Sequence, residues 1–108
     1  MSTHAVLVLT TCGSAAEGER LAATLVERRL AACVNRIDGV VSTYRWQDAV
    51  ERGSECLLLV KTTEDRYAAV ERTIREASGY ELPEVLRFAA NGGSADYLRW
   101  IATSVEAS

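Results

Sequence analysis

The period of apolar and polar positions changes several times along the chain, and each change marks an element. His4 to Cys12, "HAVLVLTTC", is short, apolar and β-branched, which predicts a largely buried first strand. "SAAE", Ser14 to Glu17, follows with the spacing of a capping box. Ser14 can accept from the backbone of Glu17, and the Glu17 carboxylate can reach back. Leu21, Leu25, Val26 and Leu30 then recur at helical spacing, with Glu19, Arg20, Glu27 and Arg28 on the wet side. The pattern predicts a helix that ends near Leu30.

Cys33 to Gln47 is rich in β-formers, with a bend expected at Asp38-Gly39. A turn is expected around Arg52-Gly53-Ser54. "ECLLLVKT", Glu55 to Thr62, is apolar at five consecutive positions from Cys56 to Val60, which suits a central strand covered on both faces. The two segments read as a long hairpin. Thr63 is placed to cap a second helix, in which Glu64 and Asp65 suit the first turn and Tyr67, Val70 and Ile74 form the apolar stripe. Gly79 is expected to end that helix in a left-handed conformation. "EVLRFAA" predicts a fourth strand, and a third helix starts at Ser94 with Tyr97, Ile101 and Val105 on one face.

The order β-α-β-β-α-β-α predicts an α+β fold of the ferredoxin-like kind with an additional C-terminal helix. A doubly wound sheet fits less well, because the central hairpin breaks its alternation. Helices on one face leave the other sheet face bare, and the hairpin strands are long for such a sheet. Bare β surface and long edges call for a covering partner. A homo-oligomer of cyclic symmetry supplies one most simply.

Composition narrows the function classes. The chain has 108 residues, which favours one domain, 1–108. Apolar residues at 48% allow a real core, and a net charge of -3 argues against an electrostatic nucleic-acid binder. No apolar run approaches the ~20 residues needed to cross a bilayer, and no basic region precedes the first apolar stretch as in a signal peptide. Three cysteines at scattered positions make no disulfide framework, so Cys12, Cys33 and Cys56 are expected as thiols in a reducing cytoplasm.

The sequence has no Walker loop, no CxxC pair and a single histidine, His4. Free cysteines are usually small buried hydrophobes, and Cys12 and Cys56 read that way. Cys33, at a strand end, is better placed to reach a cleft as a soft ligand or redox thiol. Trp46, Lys61, Tyr80, Glu81, Glu84, Asp96, Tyr97 and Trp100 form a loose aromatic and charged set. It reads either as an amphipathic rim with Lys61 paired to a carboxylate, or as a ligand cleft. Spacing does not choose between them. Acid–base chemistry by Tyr80, Lys61 and Glu84 is the enzyme reading, and the non-enzymatic reading is preferred to it.

"ERLAATLVERRLAACVN", "STYRWQDAVE", "LLLVKTTEDRY", "GYELPEVL" and "DYLRWI" together resemble, in that order, the divalent-cation tolerance (CutA) family, from about Val6 to Val105. The resemblance implies a ferredoxin-like subunit, a tight homotrimer with hairpins crossing subunit boundaries, and tolerance of copper or another divalent cation. It brings no established catalytic reaction. It also implies clefts between subunits near Cys33, Trp46, Lys61, Tyr80, Glu84, Asp96, Tyr97 and Trp100. The architecture is also similar to trimeric PII proteins, which gives an alternative: a regulator binding a small anionic metabolite between subunits, with Lys61 and arginines facing the cleft. A scaffold for other proteins is a further reading. The family pattern has His-Pro before the tyrosine, where this chain has Ser78-Gly79. Family members credited with copper binding place a cysteine and two histidines where Thr10, Ala77 and Ser78 stand here.

Overall fold

The computed structural model describes residues 4–106, and the alternation within its strands decides the architecture. The expectations for the extreme ends, a start without a signal peptide and a domain reaching residues 1 and 108, fall partly outside the described residues. The elements run β1 (Ala5–Cys12), α1 (Ala15–Glu27), β2 (Cys33–Trp46), β3 (Ala49–Thr63), a 3-10 turn (Glu64–Arg66), α2 (Tyr67–Ala77), β4 (Leu86–Ala89) and α3 (Ala95–Ser104). The four strands form one antiparallel sheet in the order β2-β3-β1-β4. Among the described residues no helix is long and apolar enough to cross a membrane.

Val6, Val8, Thr10 and Cys12 of β1 and Cys56, Leu58, Val60 and Thr62 of β3 are buried, while the residues between them are only half-buried. One sheet face therefore carries the core, which Leu21 and Leu25 of α1 and Val70 and Ile74 of α2 complete. The five-residue apolar run in β3 is thus covered on one face, not both. Leu57 and Leu59 are left half-exposed because α1 and α2 take the same side. α3 buries Ile101 and Val105, and Arg66 Nε donates to the Val105 carbonyl at 2.9 Å.

The serine half of the capping box forms, with Glu17 N donating to Ser14 Oγ at 3.2 Å, while the Glu17 carboxylate reaches one residue further back and accepts from Gly13 N at 3.3 Å. α1 stops a turn before Leu30. Arg29 takes φ 57°, its N–H bonds the Val26 carbonyl, and Leu30 N bonds the Leu25 carbonyl. This is a Schellman ending with arginine in the place glycine usually takes. The hairpin turn also differs from expectation. It sits at Gln47-Asp48, φ 49° and 66°, where a two-residue turn with both central residues left-handed matches the strand twist. Arg52, Gly53 and Ser54 lie within β3. The bend at Asp38-Gly39 is a bulge between the Ile37 and Val40 pairings, with Gly39 at φ 73°.

Three further boundaries are corrected. Thr63 makes no cap to the backbone, and its hydroxyl donates to Asp65 Oδ1 at 2.5 Å. α2 ends on extended Ser78, and Gly79 is not left-handed. β4 is only four residues long, and all four are exposed. The hairpin gives the molecule its elongated extents, 44 × 26 × 22 Å.

Candidate functional site

The bulge in β2 restores alternation so that Ser42, Tyr44 and Trp46 share the face turned away from α1 and α2 with Glu55 of β3 and Thr11 of β1. The segment after α2 closes over this end of the sheet. Ser78 Oγ accepts from Tyr80 N at 3.0 Å, which turns the chain and aims the Tyr80 ring toward β3. Tyr80 Oη donates to Glu55 Oε2 at 2.7 Å. The result is an open groove of about 580 Å³ with Thr11, Ser42 and Glu55 along its floor, Tyr44 and Trp46 on the hairpin side, and Tyr80, Glu81, Leu82 and Glu84 opposite. A second depression, formed with Arg72 and Arg75 of α2, lies behind Tyr80, Glu81 and Pro83. The Tyr80–Glu84 segment is thus a wall between two surface concavities.

Burial alone would raise the Glu55 carboxyl. Hydrogen bonds from the hydroxyls of Ser42, Tyr80 and Thr11 outweigh it and hold the acid below its ordinary range. Tyr80 moves the opposite way, pushed up first by burial and then by its bond to, and the charge of, Glu55. The pair is therefore a carboxylate and a neutral phenol at ordinary pH. A phenol held this firmly protonated is a hydrogen-bond donor and a poor general base.

Of the candidates named from the sequence, Trp46, Tyr80, Glu81 and Glu84 line this groove. Cys33, Lys61, Tyr97, Trp100 and Asp96 belong to a different neighbourhood. Cys33 is opposite Lys61 in the β2–β3 register. Lys61 Nζ stands 5.7 Å from the Tyr97 ring centre, and Tyr97 meets Trp100 with ring centres 5.4 Å apart. Asp96 pairs with Arg99 at 3.1 Å. Within one chain, Lys61 is not brought to the groove of Tyr80 and Glu84. Glu55, Ser42 and Thr11 carried no signal in the sequence reading. They meet through strand register and a bulge, which no local spacing encodes.

The positions at which the resemblance implies copper ligands do not fit that metal here. Thr10 Oγ1 is a neutral hard oxygen, fully buried and without a hydrogen-bond partner. Ala77 offers a methyl group, and Ser78 Oγ is engaged by Tyr80 N. Cys12 lies beside Ala77 and Ser78, but its thiol is pushed up to about 11, chiefly by burial and further by Cys56, Glu17 and Glu55. Copper prefers thiolate or imidazole donors, and this set supplies neither at neutral pH. Among the described residues no three His, Cys, Asp or Glu side chains gather around a common point.

Comparison with known proteins accords with the sequence reading. Residues 6–104 match the family profile of the CutA1 divalent ion tolerance protein. The divalent-cation tolerance protein CutA of Thermus thermophilus is 39% identical over 95 residues, covering 88% of this chain and 92% of that protein. The chloroplastic protein CutA 1 of Oryza sativa is 34% identical over 103 residues, 95% of this chain. The chain spans only 58% of that plant protein's length. The crystal structure of CutA from Xylella fastidiosa superposes with a TM-score of 0.93 at 36% identity, covering 95% of this chain and 99% of that one. With the profile matched over nearly its whole length, this chain belongs to the CutA1 divalent ion tolerance family.

Proposed function

We propose that the chain is a ferredoxin-like subunit of a cytoplasmic homotrimer that acts in divalent-cation tolerance without catalysing a reaction. The observation that carries the trimer is the uncovered sheet face. Leu57 and Leu59 are half-exposed there, Ile37, Leu86 and Phe88 are exposed, and the hairpin projects with Tyr44, Val41 and Val50 open to solvent. That much apolar β surface matches a chain built to be covered by copies of itself. The sheet order β4-β1-β3-β2 supports the ferredoxin-like reading. The non-catalytic reading rests on the groove's chemistry: the phenol of Tyr80 is tied to Glu55, and Lys61 is elsewhere. The PII-like alternative needs Lys61 in the cleft and is not carried forward.

In this reading the residues at Thr10, Ala77 and Ser78 hold no copper. Direct contact with copper or another divalent cation is made between subunits, by Cys33 with the carboxylates of Glu84 and Asp96 from neighbouring chains. Light scattering of untagged protein should give three times the chain mass. Calorimetry with Cu(I), Cu(II) and Zn(II) should then show binding that Cys33→Ser weakens at least tenfold. A single-chain mass overturns the trimer. Absence of heat at micromolar metal, with the trimer intact, overturns direct metal contact.

A further inference from the structure

Cys12 and Cys56 are the last matched pair in the β1–β3 register. Directly opposed residues in antiparallel strands have Cα atoms about 4.5–5.5 Å apart, within the span a disulfide bridges, about 4.4–6.8 Å. Both thiols project to the helix-covered face and are buried, at 7% and 2% exposure. Cys33 sits opposite Lys61 and has no cysteine across from it. The two buried thiols also differ in access. The α1 backbone closes over Cys56 so tightly that a methyl group at Gly18 would come within 2.6 Å of its Sγ. Cys12 borders a cavity of about 20 Å³ shared with Glu17, Ala77 and Ser78. That is room for roughly one water-sized molecule.

We propose that Cys12 and Cys56 close slowly to an intrachain disulfide under sustained hydrogen peroxide. Hydrogen peroxide, with only two heavy atoms, reaches Cys12 through this cavity with slight movement of its walls, whereas bulky disulfides such as oxidised glutathione are excluded. The Cys12 sulfur attacks one peroxide oxygen, the O–O bond breaks, and the other oxygen leaves as water with the thiol proton. The Cys56 sulfur then attacks the Cys12 sulfenic acid, the S–O bond breaks, and a second water leaves with the Cys56 proton. Two thiols are oxidised by two electrons in all, and one peroxide is reduced to two waters. Burial, assisted by Cys56, Glu17 and Glu55, keeps the Cys12 thiolate scarce at neutral pH. Cys56 is likewise held as a thiol, by burial and then by Asp38, against the opposing charge of Arg36. The resting state is thus the dithiol, and oxidation follows sustained exposure. The new bond would join β1 to β3 beside Thr11 and Glu55, which form the groove floor.

Trypsin places the three cysteines on separate peptides: residues 1–20, 30–36 and 53–61. The folded protein is treated with hydrogen peroxide, the peroxide is removed, the remaining thiols are alkylated as the protein is unfolded, and the digest is mapped without reduction. The expected result is peptide 1–20 joined to 53–61, with Cys33 alkylated. Oxidised glutathione at equal concentration should produce neither this link nor a mixed disulfide on Cys12. Cys56→Ser should leave a sulfenic acid on Cys12 that dimedone traps when the oxidised protein is unfolded in its presence; if that variant fails to fold, the wild-type map decides. Three alkylated cysteines after peroxide overturn the proposal. So does a sulfinic acid on Cys12 with Cys56 free, or a link that includes Cys33.

Discussion

Glu55 shows how a carboxylate can be stabilised without a cation. Three hydroxyls donate to it, and the 2.7 Å bond from Tyr80 is the one that ties the segment after α2 to the sheet. Because its folded pKa is below the unfolded value, the stability it adds is present above about pH 4.5 and lost as pH falls through the folded value. Tyr80→Phe removes one donor and should cost about 1 kcal/mol at pH 7. The cost should shrink toward pH 3, as the acid takes up its proton and the bond loses the charge that strengthens it. Urea midpoints for the two proteins at both pH values, at one protein concentration, check this. An equal gap at pH 3 would show that the phenol acts through packing alone. The sequence made Tyr80 a candidate because it stands beside Pro83 in a polar turn, whereas Glu55 was read only as the first residue of a strand. The partner of Tyr80 depends on where β3 ends up in the register.

At the scale of elements, α1 is held to the sheet by an absence. Glycine in a helix interior ordinarily costs about 0.5–1 kcal/mol relative to alanine. At Gly18 that trade reverses, since the missing side chain leaves space for Cys56 Sγ and for Leu58 below. Gly18→Ala should therefore destabilise the protein by about 1–3 kcal/mol, the usual range for overpacking a core. Adding Cys56→Ala should recover most of that loss, because the sulfur is the obstruction. Thermal unfolding of the single and double variants tests the coupling, and purely additive losses would contradict it. The elements themselves were legible wherever a period was sustained: the β1 run, the stripes of α1 and α2, the capped start of α3. The hairpin turn was not. Gln47-Asp48 lacks the glycine that normally marks two left-handed residues, while Gly53 drew the reading to the wrong place. The apolar run in β3 likewise could not say which of its faces is covered.

At the scale of the whole molecule, the sheet order follows from the element order, but the surface it leaves is what needs explaining. Alternation along the hairpin puts Val41 and Val50 on the same side, beyond the reach of α1 and α2, at 68% and 66% exposure. Neither contributes to the core of a single chain, so polar replacements there should leave the subunit fold intact. If neighbouring subunits cover the hairpin, each valine gains about 1.5 kcal/mol or more on burial in the assembly. Charged replacements forfeit that gain and add the cost of desolvating a carboxylate. A Val41→Asp, Val50→Asp double variant should thus keep its far-ultraviolet circular dichroism while its mass by light scattering falls from three chains to one. An unchanged trimer would mean that the flat sheet face around Leu57 and Leu59 carries the association without the hairpin. Phe88→Glu on that face would then become the decisive substitution, because Phe88 is exposed opposite Leu7 and belongs to no core of the isolated chain.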